Sequence, residues 1–153
     1  MTRTLLRVLP WVVLLTACRA GAPPAADPAL AGQLAAQLQR SADDWNRGDL
    51  EGFMSDYARD TATSFVDGGH VRRGWDFIHS RYAPRFARGA ERDSLRFEEI
   101  AVRPLGADHA LVTARFVLFQ GGRTTASGPF SLILERQAGG WKILHDHTSS
   151  DPR

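Results

Sequence analysis

The chain has 153 residues, which is enough to bury the core of one domain. Of its 19 basic residues, Arg3 and Arg7 lie in the N-terminal segment, so residues 18–153 carry 17 basic and 17 acidic residues. This balance, without any run of Lys or Arg, predicts that nucleic acid is not a partner. Cys18 is the only cysteine, which excludes a disulfide framework and a structural zinc–thiolate site.

The first 17 residues have the composition of a secretory signal peptide. Arg3 and Arg7 precede the apolar run 8–17, which is shorter than the ~20 apolar residues that cross a bilayer as a helix. The run ends in Leu15-Thr16-Ala17-Cys18, which resembles the bacterial lipobox. This resemblance implies cleavage before Cys18 and lipidation of its thiol, and hence a protein anchored in the cell envelope. An ordinary signal peptide with a coincidental cysteine is the alternative.

The sequence predicts a three-part organisation, with a signal peptide at 1–17, the lipidated cysteine and a flexible linker at 18–29, and a folded domain at 30–150. The linker is rich in proline and small residues and lacks the apolar side chains that could join a core. Cys18 is not followed by aspartate. Under the sorting rule of Gram-negative lipoproteins, this implies anchoring in the outer membrane with the domain facing the periplasm.

Three segments have the apolar spacing of amphipathic helices. The first ends at Gly48, where a left-handed helix cap is expected. Asp49 can cap a short second helix, and Pro84 is expected to disturb the third. The three apolar stripes are Leu30, Leu34, Leu38, Ala42 and Trp45; Leu50, Phe53, Met54 and Tyr57; and Trp75, Ile78, Tyr82 and Phe86.

The other regular segments have the composition of strands. Thr61 to Val66 is β-branched and aromatic, and Asp67-Gly68-Gly69 predicts a turn into a short partner strand around Val71. Four β-rich runs follow, separated by short glycine-containing turns: Ser94–Arg103, His109–Gln120, Thr124–Glu135 and Trp141–Ser149. Helices followed by such a meander predict an α+β fold, in which three N-terminal helices pack on a curved, mainly antiparallel sheet.

Local motifs, taken in order, resemble the NTF2-like superfamily. Trp45-Asn-Arg-Gly-Asp-Leu-Glu-Gly-Phe-Met-Ser-Asp-Tyr57, followed by Ala58-Arg-Asp60, is similar to its helix-turn-helix opening. Gly74 before a helix and the closing Gly140-Trp-Lys-Ile-Leu-His-Asp-His-Thr-Ser149 resemble its SnoaL-like branch, in particular the DUF4440 group. The resemblance implies a cone-shaped barrel with a pocket open at one end, commonly dimeric through the sheet. Members include isomerases, cyclases, dehydratases and associative domains, so the fold does not choose a function.

The ketosteroid-isomerase branch allows one test of chemistry. Alignment on Asn46-Arg-Gly-Asp-Leu50 and Tyr57-Ala-Arg-Asp60 places Ser41 where that branch has its tyrosine donor. The same alignment places Phe65 where the branch has its aspartate base. Because Phe65 cannot accept a proton, steroid isomerisation by the mechanism of that branch is not expected.

The last strand carries the main candidate residues. Regular alternation places His145 and His147 on the face of Trp141, towards the pocket, and Asp146 on the outer face. Leu144, which would also face outward, argues for the reverse assignment. Facing inward, the two histidines could line a polar cavity, transfer protons as general acid and base, or supply two metal ligands. The sequence offers no obvious third ligand for a metal.

The sequence therefore predicts a pocket for a small, largely apolar molecule. Its expected lining is Trp45, Tyr57, Phe65, Trp75, Tyr82, His145 and His147. No cofactor and no metal site are expected. The expected partners are the membrane, through Cys18, an unidentified small molecule, and a second copy of the chain paired through the sheet. A binding module is the preferred function. The alternatives are an isomerase-, dehydratase- or cyclase-like enzyme that uses the pocket histidines, and a non-catalytic dimerisation domain.

Overall fold

The computed structural model describes residues 27–152, in which three helices pack on one face of a curved six-stranded sheet. The elements are α1 (Pro28–Arg47), α2 (Leu50–Met54), β1 (Ser64–Asp67), β2 (His70–Arg73), α3 (Trp75–Phe86), β3 (Ser94–Pro104), β4 (His109–Gln120), β5 (Arg123–Gln137) and β6 (Gly140–Thr148). The predicted α+β class and order of elements are confirmed. The predicted signal peptide and lipidated Cys18 lie outside the described residues.

Helix α1 is delimited by local chemistry at both ends. The Asp27 side chain accepts hydrogen bonds from two backbone N–H groups of the first turn, at 3.0 and 3.1 Å, and Pro28 is the first helical residue. Gly48 ends the helix with a φ of 82°, a left-handed conformation that glycine adopts at little cost. The helix therefore begins inside the segment 18–29 that the sequence assigned to the linker.

Helix α3 continues through Pro84, contrary to the expected disturbance. Pro84 lies in the last turn, so its missing N–H group removes only one helical hydrogen bond, the one to the Ser80 carbonyl a turn earlier. The apolar face of the helix packs as the spacing predicts: Ile78 is fully buried, and Tyr82 and Phe86 pack against the core.

The sheet has the strand order β2-β1-β6-β5-β4-β3. Strands β3 to β6 form the predicted antiparallel meander, while β1 pairs antiparallel with β2 and parallel with β6. The parallel pair places Phe65 of β1 beside Asp146 of β6. The sheet thus joins β1 directly to β6, two strands that are far apart in sequence.

The pairing of β5 with β6 contains a β-bulge at Leu144. Ile133 lies opposite His145, and the next residue of β5, Leu134, lies opposite Ile143, so that Leu144 has no partner in the ladder. An extra residue in one strand changes the face to which the following side chains point. The side chains of β6 beyond Leu144 therefore point to the face opposite to the one that regular alternation gives them.

The hydrophobic core lies between the helices and the concave face of the sheet. Leu34 and Trp45 of α1 are buried against this face, together with Val112 of β4 and Leu132 of β5. Packing of these side chains fixes the three helices over the sheet, and the space left between the two layers is the site described below. Among residues 27–152, no helix is both long and apolar enough to cross a membrane.

Candidate active site

A cavity of about 560 Å³ opens between the helices and the concave face of the sheet. Apolar side chains form most of its wall. Its uncharged and acidic polar residues are Ser41, Tyr57, Asp67, Tyr82, Asp146, Thr148 and Ser150. A cavity of this size, mainly apolar with a few convergent polar groups, is typical of a site for a small organic molecule.

Aromatic rings from four different elements form one wall of this cavity. The ring centroids of Trp45 and Phe53 are 5.4 Å apart, and those of Phe53 and Tyr82 are 4.9 Å apart. The Phe65 ring stands nearly perpendicular to Tyr82, with 6.0 Å between the centroids. Edge-to-face packing is the arrangement that aromatic rings favour, because the positive edge of one ring meets the negative face of the next. The wall is therefore held in place by interactions among its own rings.

Asp146 is the buried carboxyl group of the cavity. Its side chain is 4% exposed, yet it lies among the lining residues. The Tyr57 hydroxyl donates a hydrogen bond of 2.7 Å to Oδ2, and the Thr148 hydroxyl donates one of 2.8 Å to Oδ1. Each carboxyl oxygen thus has one donor, which fixes the orientation of the group and leaves lone pairs for a ligand.

Burial raises the pKa of Asp146 from its ordinary value of 3.8 to about 6. The hydrogen bonds from Tyr57 and Thr148 and the neighbouring His147 act in the opposite direction, while the charge of Asp67 adds to the increase. Burial, followed by the negative charge of Asp146, raises the pKa of both Tyr57 and Tyr82. At neutral pH the site therefore holds a carboxylate beside two protonated hydroxyl groups.

The structure corrects the predicted inward orientation of His145 and His147. Beyond the bulge at Leu144 both side chains point away from the cavity, and Asp146 between them points into it. His145 Nδ1 lies 2.8 Å from the Ser64 hydroxyl, and His147 is exposed on the outer face. Partial burial, followed by the charge of His147, lowers the pKa of His145. Neither imidazole touches the cavity in which a ligand would be held.

Of the other predicted lining residues, four contact the cavity and one does not. Trp45, Tyr57, Phe65 and Tyr82 line it, as does Ser41, the residue aligned with the tyrosine donor of the steroid isomerases. Trp75 does not line it. Its ring stacks on His79 at a centroid distance of 4.9 Å, and its indole N–H points to the Met54 carbonyl at 3.4 Å. Trp75 therefore secures the start of α3 rather than the cavity wall.

Asp146 was missed because regular alternation assigned it to the outer face. The available signal was Leu144, an apolar residue that alternation placed among outward-facing polar ones. A bulge at Leu144 reconciles the apolar stripe of Trp141 and Ile143 with an inward Asp146. The sequence did not require this solution, because Leu144 could equally have been covered by a dimer partner.

A second, polar pocket of about 380 Å³ lies between α1, the segment after α2 and the start of β6. The buried Gln37 side chain donates through Nε2 to Asp56 Oδ1, at 2.9 Å, and to the Trp141 carbonyl, at 3.0 Å. Burial raises the pKa of Asp56 to about 6, partly offset by hydrogen bonds from Ser41 and Gln37 and by nearby cations. This cluster connects α1, the segment after α2 and β6. Among residues 27–152, no group of three or more His, Cys, Asp or Glu side chains could hold a metal ion.

Comparison with known families identifies the class of protein that this fold and cavity define. The model of the SnoaL-like domain matches residues 34–152, and the chain therefore belongs to the SnoaL-like family within the NTF2-like superfamily. No curated protein sequence matches the chain significantly.

Solved structures show the same fold. An NTF2-like protein of unknown function from Shewanella oneidensis is 28% identical, with a TM-score of 0.69 over 77% of this chain and 97% of the other. A domain of unknown function with a cystatin-like fold from Nostoc punctiforme is 19% identical, with a TM-score of 0.68 over 84% and 81%. A dehydratase candidate of the NTF2-like family from Streptomyces avermitilis is 20% identical, with a TM-score of 0.65 over 83% and 100%. The last two similarities establish the fold alone.

Proposed function

We propose that this protein binds a small, largely apolar molecule in its cavity and that Asp146 exchanges a proton with that molecule. The observation that carries the proposal is the buried carboxyl group of Asp146, held by two hydrogen bonds in a mainly apolar cavity. A charged group in such surroundings lowers the stability of the fold, so its presence calls for a functional reason. The residues on the outer face, including His145 and His147, offer no comparable buried group in contact with the cavity.

The pKa of about 6 suits Asp146 to act as a general base near neutral pH. At pH 7 most of the group is ionised, and its carboxylate is a stronger base than an exposed aspartate. It can take a proton from a carbon next to a carbonyl group, while the electron pair of the C–H bond moves towards the carbonyl oxygen. The protonated hydroxyl of Tyr82 is the donor available to that oxygen, because the single O–H of Tyr57 is already donated to Asp146.

The proton that Asp146 takes can be returned in two ways that balance without another reagent. Returned to a different carbon of the same molecule, it completes an isomerisation. Transferred to a hydroxyl leaving group on the neighbouring carbon, it releases water and completes a dehydration. Both reactions leave the Asp146 carboxylate as it began, and both need a cavity that excludes bulk water.

Carbon–hydrogen exchange in heavy water tests this proposal directly. Beta-tetralone, an apolar bicyclic ketone with acidic C–H bonds, is the probe, and nuclear magnetic resonance follows the loss of its α-protons. The protein should accelerate exchange, and Asp146→Asn should remove at least about a hundredfold of that acceleration while tetralone still binds. Asp108→Asn, which makes the same substitution at an exposed residue outside the cavity, is the matched control and should keep the wild-type rate.

The other outcomes select the remaining functions. Binding of tetralone without any exchange would contradict proton transfer and leave a non-catalytic binding module. Absence of both binding and exchange, together with a native mass spectrum of the secreted domain without any co-purified molecule, would favour a purely associative domain. The same spectrum measures whether the domain is a homodimer, which we propose as its assembly through the sheet.

We further propose that the protein acts at a membrane of the cell envelope, anchored through lipidated Cys18. The lipobox-like tetrad supports this, as does the position of α1, which begins ten residues after Cys18 and leaves a short tether. Cys18→Ser should abolish incorporation of radiolabelled palmitate and release the protein from the washed membrane fraction. Unchanged membrane association of the variant would contradict the anchor.

A further inference from the structure

Two arginines of α3 lie along the rim of the cavity. Arg81 and Arg85 are one helical turn apart, and both belong to the cavity lining. The Arg81 guanidinium carbon is 5.6 Å from the centroid of the Phe65 ring, and that of Arg85 is 5.9 Å from the centroid of the Trp45 ring. Both aromatic rings are themselves part of the wall. The cationic groups therefore rest against the apolar surface that a ligand would cover.

The two arginines differ in their partners. Arg81 forms an ion pair with Asp67, another residue of the lining. Arg85 forms no ion pair with any carboxylate of residues 27–152. Since the charge of Arg81 is offset by Asp67, Arg85 leaves this side of the cavity with a positive charge that no described group neutralises.

Tyr82 lies close enough to both arginines and to the buried carboxyl group for all three charges to affect its pKa. It lies on α3 between Arg81 and Arg85. Asp146 acts to raise the pKa of Tyr82, whereas both arginines act to lower it. The cavity thus has a negative group at depth and cationic groups at its rim, with an aromatic wall between them.

We propose that the cavity takes an amphipathic organic anion, with an apolar ring body against the aromatic wall and one acidic group at Arg85. This inference rests on the proposed function, since it names the class of molecule that the same cavity binds. A neutral apolar molecule would leave Arg85 without a partner, and an anionic group placed deeper would meet the Asp146 carboxylate. The head group is thereby held at the rim, and the apolar body extends towards Asp146.

A matched pair of fluorescent dyes tests the inference. Anilinonaphthalene sulfonate and phenylnaphthylamine share the same ring system and differ in the sulfonate group. The wild-type domain should bind the sulfonate dye more tightly than the neutral one, and added sodium chloride should weaken only the sulfonate dye. Arg85→Gln should weaken the sulfonate dye about fivefold and leave the neutral dye unchanged. Arg88→Gln, with the same change of charge at an exposed position outside the lining, is the control.

Each outcome of this experiment has a definite meaning. Equal weakening of both dyes by Arg85→Gln would overturn the inference, because it would indicate altered packing rather than recognition of an anion. Equal effects of Arg85→Gln and Arg88→Gln on the sulfonate dye would also overturn it, because they would reflect net charge alone. Failure of the wild type to bind either dye would overturn the proposed binding function together with this inference. Binding of both dyes with no effect of Arg85 would overturn the inference alone.

Discussion

The Tyr57 hydroxyl donates a 2.7 Å hydrogen bond to Oδ2 of Asp146, and the two residues are 89 positions apart in the chain. Tyr57 follows α2, whereas Asp146 lies beyond the bulge of β6. The bond joins the helical layer to the sheet at the wall of the cavity. It is also one of the two hydrogen bonds that lower the pKa of Asp146 against the effect of burial. Because this bond both joins the two layers and lowers the pKa of Asp146, replacement of either residue should have measurable effects.

The stability of the domain should fall as the pH rises through the pKa of Asp146. Its folded-state pKa of about 6 exceeds the ordinary value of 3.8, so the folded protein binds this proton more tightly than the unfolded chain. The resulting stabilisation is fully present below the ordinary pKa and is lost as the pH passes about 6. Asp146→Asn, whose side chain does not titrate, should lack this pH-dependent decrease, which amounts to about 3 kcal/mol. Urea unfolding across this pH range measures it, and equal pH dependence in both proteins would contradict the assignment.

Replacement of Tyr57 by phenylalanine should raise the pKa of Asp146 further. The variant removes a hydrogen bond that favours the carboxylate, so the pH midpoint of tetralone exchange should move upward by about one pH unit. Stability should decrease by about 1–2 kcal/mol, the usual effect of losing a buried hydrogen bond. Tyr82→Phe keeps both hydrogen bonds of Asp146 and is the control for the midpoint: its exchange rate should fall, but its pH midpoint should stay at the wild-type value. A midpoint that stays unchanged in Tyr57→Phe would show that this bond does not tune the carboxyl group.

Gly128 of β5 should not tolerate a side chain. A Cβ atom at this position would lie 1.9 Å from the Ser149 carbonyl oxygen, a backbone atom that cannot rotate away. Gly128→Ala should therefore destabilise the domain by at least about 2–3 kcal/mol. Gly139→Ala is the matched control, because its Cβ would meet nothing closer than the Lys142 side chain at 3.7 Å. Thermal unfolding compares the two, and similar melting temperatures would show that the Ser149 backbone does not lie against Gly128.

Gln37 should contribute more to stability than its neighbour Gln39. Its amide bridges Asp56 and the Trp141 carbonyl inside the polar pocket, whereas Gln39 bonds only Asp43 on the surface of α1. Gln37→Ala leaves buried acceptors without a donor and should cost about 1–3 kcal/mol, while Gln39→Ala should cost less than about 0.5 kcal/mol. Chemical unfolding of both variants gives the difference. Equal losses would mean that water replaces the Gln37 amide without penalty.

Much of the fold was predictable because its signals are local. The apolar spacing of Leu34 and Trp45 and the capping residues Asp27 and Gly48 act within α1 itself. The meander could also be predicted from the sequence, since short glycine-containing turns join each pair of long β-rich runs. Four cavity residues, including Tyr57 and Phe65, also followed from the order of elements and from the resemblance to the NTF2-like superfamily.

The orientation of the candidate site depended on a contact that the sequence does not specify. By itself the sequence determined the α+β class, the element order and the aromatic character of the wall, because helix and strand periodicity are properties of neighbouring residues. Only the tertiary structure decided that Asp146 faces the cavity and that His145 faces outward. That choice depends on how β6 pairs with β5, because one unpaired residue, Leu144, reverses every side chain that follows it.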